Sequence, residues 1–73
     1  MNYPVIDVLG TGTNLRTMID DRHMTVAAVA GYLGATTSLV YRYIRGEVLP
    51  STDRLLALSS LLGVTVNDII VTR

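Results

Sequence analysis

The 73-residue sequence lacks cysteine and has one histidine, His23. Without cysteine the chain forms no disulfide and no thiolate metal site, as is usual for proteins of a reducing cytosol. A metal site would need carboxylates, and Asp20 and Asp21 are neighbours rather than one helical turn apart. We therefore expect no metal and no cofactor.

Long apolar segments are also missing. No apolar run approaches the roughly 20 residues that a membrane-spanning helix needs. The N-terminus lacks the basic stretch followed by an apolar segment that marks a secretory signal. These absences predict a cytoplasmic protein without a membrane segment. At this length we expect one domain with a modest core, a class that often gains stability by dimerising.

The sequence has no excess of charge of either sign, because six basic residues balance six acidic ones. A strong basic excess is the usual property of nucleic-acid-binding proteins, so the overall charge does not indicate one. All six basic residues are arginines, however, and guanidinium groups suit bidentate contacts with phosphates and guanine edges. Codon usage in a GC-rich genome would explain the arginines equally well.

Capping residues and glycines divide the chain into an arm and five predicted helices. Residues 1–12 suit an extended arm or a short strand, and residues 13–73 a compact all-α bundle. Helix 1 is predicted from Thr13 or Asn14 to Arg22 or His23. The later helices are predicted after the caps Thr25, Thr36, Ser51 or Thr52, and Thr65. In helix 4 the side chains expected to pack inward are Leu55, Leu56, Leu58, Leu61 and Leu62.

Nothing in the sequence favours an enzyme. The stretch from Gly10 to Leu15, GTGTNL, superficially resembles a dinucleotide-binding turn, but Leu15 stands where the third glycine belongs. The chain is also too short for a doubly wound sheet. Serines, the histidine and aspartates are present, but without the local context of a nucleophile motif. We expect no catalytic residues.

The stretch from Thr25 to Arg45 has the order of a helix-turn-helix: cap, helix, short turn, cap, helix. In that motif the second helix enters the major groove of DNA. Ala30 is small where the two helices would cross, and Gly34 suits the left-handed conformation that the turn requires. Any antiparallel helix pair has caps and a glycine, so the pattern alone is only moderately specific.

Residues 15–70, LRTMIDDRHMTVAAVAGYLGATTSLVYRYIRGEVLPSTDRLLALSSLLGVTVNDII, resemble the Cro/C1-type (XRE-type) helix-turn-helix domain of phage and bacterial repressors. The matching features are Leu15-Arg16, Met24-Thr25, Val29-Ala30, Leu33-Gly34, Gly46, Pro50, Leu61, Gly63-Val64 and Ile69. The resemblance implies a lambda-repressor-like five-helix fold. It also implies a sequence-specific transcription regulator, of the Cro or immunity-repressor type, in a bacterial or phage-infected bacterial cell.

One departure from the family concerns a buried pair. Members often pair an arginine of helix 1 with a glutamate late in helix 3, where this sequence has Ile19 and Ile44. Replacing both partners of a buried ion pair by packed hydrocarbon is often neutral or stabilising, whereas losing one is costly. The joint replacement therefore supports the alignment and predicts that Ile19 and Ile44 form a helix-packing pair.

The resemblance implies DNA contacts from helix 3 and its surroundings. Base contacts are expected from Thr37, Ser38, Tyr41 and Arg42. Phosphate contacts are expected from Thr25, Arg45 and Gly46. Leu39 and Val26 are unusual, because the family commonly has polar residues there. Leu39 could touch a thymine methyl group or a protein partner, and Val26 weakens the DNA interpretation. The alternative for Arg42 and Arg45 is a solvated face with ion pairs to an acidic residue such as Glu47.

The expected partner is double-stranded DNA, bound by a symmetric homodimer on a pseudo-palindromic operator with half-sites about one helical turn apart. Dimer contacts are expected from helix 5 and residues 64–71, with residues 1–8 adding a strand across the dimer or lying on DNA. The alternative function is a protein-interaction module, like an antitoxin or antirepressor, that uses the apolar surface around Leu39 and Tyr41. Neutral charge and Val26 favour that alternative.

Overall fold

The computed structural model describes residues 3–73. Within this range the chain forms five α-helices joined by short segments. They are α1 (Val8–Asp21), α2 (Val26–Leu33), α3 (Thr37–Ile44), α4 (Thr52–Leu62) and α5 (Val66–Ile69). Helix α3 packs against α1 and α2, while α4 packs against α2 and α5, and α5 returns to α1. The predicted all-α bundle is confirmed. None of these five helices is long and apolar enough to cross a membrane.

Helices α2 to α5 begin at predicted capping residues. The side chain of each cap accepts a hydrogen bond from the backbone N–H three residues later, at Thr25, Thr36, Ser51 and Thr65. These bonds satisfy N–H groups that have no partner inside the helix. Thr65 and Asp68 form the predicted capping box, since Asp68 Oδ2 also accepts from the Thr65 N–H at 2.9 Å.

Helix α1 begins at Val8, earlier than the predicted start at Thr13 or Asn14. Its cap is Asp7, whose Oδ1 accepts a hydrogen bond from the Gly10 N–H at 2.9 Å. An aspartate cap is strong enough to start a helix whose first turns contain poor helix formers. The stretch Gly10 to Gly12 is therefore helical, and the prediction that it ends an extended arm is wrong.

Gly12 is needed because α1 lies unusually close to the end of α3. A Cβ atom at this position would collide with the carbonyl oxygen of Tyr43. It would also lie 2.7 Å from the carbonyl oxygen of Ile44 and 2.9 Å from the backbone nitrogen of Gly46. Gly12 therefore permits close packing of α1 against the end of α3. The sequence pattern alone does not distinguish a glycine needed for packing from one needed for a turn.

The extended arm that precedes α1 pairs with the C-terminal segment of the same chain. An isolated antiparallel bridge joins Ile6 to Thr72. Two backbone hydrogen bonds flank it, from Asp7 N to Val71 O at 2.8 Å and from Arg73 N to Val5 O at 3.0 Å. The arm is thus shorter than predicted and is held by its own chain. Residues 1 and 2 of the predicted arm lie outside the described residues.

Polar side chains from α1 and its C-cap fasten the later elements. Thr11 is buried, at 2% exposure, although it is polar, because it exchanges hydrogen bonds with a backbone group near the C-terminus. Three side chains bond to the backbone in this way: Thr11 to Val71, Asn14 to Asp68 and Ile69, and Arg22 to Leu62. Asn14 and Arg22 thereby satisfy carbonyls at the ends of α5 and α4.

The hydrophobic core draws on all five helices. Its buried members are Leu15, Ile19, Val29, Ala30, Val40, Tyr43, Leu55, Leu58, Leu62 and Ile69. The prediction that Leu56 packs inward is wrong, since this side chain is 56% exposed. Leu55, Leu58 and Leu62 form one stripe at helical spacing, and Leu56 is turned about 100° from Leu55 around the axis.

The close contact at Gly12 predicts that Gly12→Ala is destabilising by about 1–3 kcal/mol, because an added methyl group forces α1 away from α3. The matched control is Gly31→Ala in α2, where an added Cβ has no atom within 4 Å. That change should stabilise the protein by about 0.5–1 kcal/mol through helix propensity. Urea unfolding measures both, and equal gains from the two substitutions would contradict the packing role of Gly12.

The capping box predicts a pH-dependent contribution from Asp68. The hydrogen bonds that its carboxylate accepts from the Thr65 backbone and side chain hold the pKa of Asp68 below its ordinary value of 3.8. A lowered pKa stabilises the folded state above the ordinary pKa, and this contribution is lost as pH falls through the folded-state pKa. Asp68→Asn should therefore lower the melting temperature more at pH 7 than at pH values below the folded-state pKa. A difference independent of pH would contradict this assignment.

Candidate nucleic-acid interface

Helices α2 and α3 form the predicted helix-turn-helix. Gly34 ends α2 with a φ of 65°, the left-handed conformation that glycine adopts at little cost. The next residue, Ala35, donates its N–H to the Ala30 carbonyl at 2.9 Å. Val29 of α2 and Val40 of α3 are fully buried, and Ala30 of α2 is nearly so. The angle between α2 and α3 is therefore set by packed side chains and by the hydrogen-bonded turn.

Helix α3 has a buried face and an exposed face. Val40 and Tyr43 are buried, with Ile44 at the edge of the core. The exposed residues are Thr37, Ser38, Tyr41, Arg42 and Arg45. Residues four apart lie above one another on a helix, so these five side chains form one continuous strip. The structure thus brings the four predicted base-contact residues together with Arg45 on a single face.

Of the predicted packing pair, Ile19 lies in the core and Ile44 at its edge. Ile19 of α1 is 1% exposed, and Ile44 of α3 is partly buried and packs against the same cluster. The helices that carry them are in contact. Both side chains therefore have apolar surroundings. In such surroundings, two isoleucines can replace both partners of an ion pair without loss of stability.

The two unusual apolar residues, Val26 and Leu39, pack toward the protein interior. Val26 and Leu39 are each partly buried and pack against the hydrophobic core. Leu39 is also fixed through its backbone N–H, which donates to the Thr36 hydroxyl at 3.1 Å. Their apolar character therefore has an internal explanation, and Leu39 is less available as an anchor for another protein.

Glu47 lies against both arginines of the exposed strip. Its Oε2 accepts a hydrogen bond from Arg45 Nε, and its Oε1 is 3.7 Å from Arg42 Nε. Glu47 is five positions after Arg42, a spacing that would place the two side chains on different faces of a continuous helix. They meet because α3 ends at Ile44 and the chain turns at Gly46, which has a φ of 71°.

The cluster favours the ionised form of the Glu47 carboxyl group. The hydrogen bond from Arg45 holds the pKa of Glu47 below its ordinary value of 4.5, partial desolvation opposes this, and the charges of Arg45 and Arg42 lower the pKa further. All three side chains are about half exposed. Exposed ion pairs add little to stability, so this cluster matters chiefly for the electrostatics of the surface.

Gly46 has its own structural role. A Cβ atom there would lie 2.5 Å from Leu9 Cα in the first turn of α1. Its N–H donates to the Tyr43 carbonyl at 3.0 Å, as part of the end of α3. The amide that would bind a phosphate is therefore already engaged inside the protein, and the predicted phosphate contact by Gly46 has no support from this geometry.

Thr25 is exposed at the N-terminus of α2. Its hydroxyl oxygen accepts a hydrogen bond from the Ala28 N–H at 3.0 Å. Helix N-termini favour anions because their N–H groups and the helix dipole point outward. The position therefore suits the phosphate contact predicted for Thr25.

No other kind of site competes with this face in residues 3–73. That range contains no pocket and no group of three or more His, Asp or Glu side chains able to hold a metal ion. The ion pairs of Arg42 and Arg45 with Glu47, which the sequence offered as an alternative for these arginines, are present. That a single carboxylate meets both arginines was not predicted, since it depends on the turn at Gly46. The pattern Arg-Gly-Glu directly after the helix is the only sequence signal for it.

Comparison of the sequence with curated proteins gave no match. Among solved structures, the restriction-modification controller protein C.AhdI from Aeromonas hydrophila is 22% identical with a TM-score of 0.80, over 86% of this chain and 96% of that chain. The clp gene regulator ClgR from C. glutamicum is 23% identical with a TM-score of 0.75, over 84% of this chain and 79% of that one. Apo-HppE is 23% identical with a TM-score of 0.80, over 88% of this chain but 36% of its own. These similarities establish the fold.

The family itself is established by sequence. The model of the Cro/C1-type HTH DNA-binding domain matches residues 14–73, a range that includes the helix-turn-helix, α4 and α5. The resemblance noted from individual residues and the packing of α2 against α3 agree with that match. The chain belongs to the family of Cro/C1-type helix-turn-helix DNA-binding domains.

Proposed function

We propose that the protein is a sequence-specific transcription regulator that places α3 in the major groove of double-stranded DNA. Its proposed type is a repressor of the Cro or immunity class. The observation that carries the proposal is the exposed strip of α3, which is polar and charged although the rest of that helix is buried or partly buried and apolar apart from the Tyr43 hydroxyl. Because α2 and the turn hold α3 in place, the backbone of the strip does not have to be ordered on binding.

Each residue of the strip has a contact that suits its chemistry. Arg42 can bind the O6 and N7 atoms of guanine through two hydrogen bonds, the commonest specific contact in the major groove. Thr37 and Ser38, one turn earlier, have hydroxyl groups that adapt to either base edge. Tyr41 extends to a base or to the sugar and phosphate beside it. Arg45, at the end of the strip, and Thr25, at the N-terminus of α2, are the proposed phosphate contacts.

The active form is proposed to be a symmetric homodimer. One α3 of eight residues reads only a few base pairs, so a pseudo-palindromic operator read by two copies supplies the needed specificity. The proposed interface is α5 with residues 64–71, where Val64, Val66, Ile70 and Val71 are only partly buried in the single chain. Such a regulator acts in the cytoplasm of a bacterial cell.

A protein-interaction module on the same fold is the second candidate. The exposure of Tyr41, 43% on the same strip, favours it. The packing of Leu39 against the core opposes it, because interfaces depend on apolar anchors that reach the partner. DNA binding is therefore the better supported function.

The test is fluorescence anisotropy with a duplex selected from random DNA, measured at several salt concentrations. We expect binding that weakens steeply with salt, because phosphates are neutralised on binding. Arg42→Ala should cost about 1–3 kcal/mol and relax the preference at one base pair. Leu39→Ala should lower the melting temperature and change the affinity of the folded protein for DNA little, since Leu39 packs against the core.

The matched control is Arg16→Ala, which removes the same charge from an exposed arginine of α1 that pairs with Asp20. It should change affinity slightly and leave the base preference unaltered. Folded protein that fails to bind any duplex at low salt would contradict the proposed function. A larger loss of partner binding from Leu39→Ala than from Arg42→Ala would favour the protein-interaction module.

A further inference from the structure

We propose that Glu47 is a specificity-determining residue, which competes with DNA for Arg42 and Arg45 and so suppresses binding to the wrong sequence. The inference rests on the proposed function and extends it. It arises from one carboxylate that meets both arginines of the DNA-reading strip, with Oε2 bound to Arg45 Nε and Oε1 at 3.7 Å from Arg42 Nε.

The backbone places Glu47 beside the arginines independently of the ion pairs. The Glu47 N–H donates to the Arg42 carbonyl at 3.0 Å. The residue before it, Gly46, holds its left-handed conformation against the first turn of α1. The position of Glu47 next to the arginines is therefore a consequence of how α3 ends, and replacement of its side chain leaves those backbone interactions in place.

The first consequence concerns charge. Two arginines and one glutamate give the strip a local charge of one rather than two, on a chain whose formal net charge is zero. Non-specific DNA binding depends almost entirely on cationic groups that neutralise phosphates. Glu47 lowers that attraction equally for every DNA sequence, because its own charge repels the phosphate backbone.

The second consequence concerns exchange. The contacts to Glu47 are made by the Nε atoms of Arg45 and Arg42, so an arginine that binds guanine end-on through its two terminal Nη groups keeps its ion pair. An arginine that turns toward a phosphate or a wrong base gives that ion pair up. The competition therefore penalises wrong sequences more than the right one, which is how an internal repulsive element produces specificity.

The experiment compares wild type, Glu47→Gln and the control Asp20→Asn. Asp20 is the other carboxylate of the described residues in an ion pair with an arginine, on α1 with Arg16, so the control makes the same change of charge elsewhere. Affinities for the selected operator and for a scrambled duplex are measured by anisotropy over a series of salt concentrations. Thermal unfolding followed by circular dichroism verifies that each variant is folded.

We expect Glu47→Gln to bind the scrambled duplex on the order of threefold to tenfold more tightly at low salt, with a salt dependence steeper by about one released counterion. Affinity for the operator should rise less, so the ratio of specific to non-specific affinity should fall. Asp20→Asn should leave that ratio near the wild-type value. A residue needed only for folding would not alter the salt dependence.

The alternatives are distinguishable. An unchanged ratio in Glu47→Gln, with wild type bound to its operator, overturns the role of Glu47 and leaves the proposed function intact. An equal fall in the ratio for Asp20→Asn also overturns it, since net charge alone would then explain the effect. If neither wild type nor Glu47→Gln binds DNA, the proposed function and this inference both fail.

Discussion

The close approach of α1 to the end of α3 is the contact on which the rest of the structure depends. Gly12 lets the backbone of α1 reach the carbonyls of Tyr43 and Ile44, and Gly46 lets the chain turn under Leu9. Interiors are packed too densely to absorb an added methyl group at such a point. The contact therefore sets where α3 ends, how the following turn runs, and which side chains the turn brings back toward the helix.

From that constraint follows the division of labour within α3. Its inner side chains, Val40 and Tyr43, complete the core, while its outer ones are polar and exposed. Burial of a few large side chains supplies the free energy that holds the helix in place. The outer strip contributes little to stability, so its composition is available for recognition, including the ion pairs with Glu47.

Much of this fold could be predicted from local signals. The caps Thr25, Thr36 and Thr65 and the terminal Gly34 each act within a few residues, so their effect was visible in the sequence. The start of α1 was predicted wrongly because glycine and threonine lower helix propensity whatever surrounds them. Asp7 and a tertiary contact outweighed that propensity. The inward packing of Leu56 was wrong because five leucines in one helix exceed the width of its buried stripe.

For the candidate site, the sequence by itself determined which residues of α3 face outward, because helical periodicity and one buried face decide that without further information. It also determined the helix-turn-helix, through caps and a glycine that act over a single turn. Only the tertiary structure decided that the arm pairs with its own C-terminus, that Leu39 is held inward, and that Glu47 meets both arginines. Those contacts join residues whose separation in the chain carries no periodic signal, so they depend on the packing of whole helices.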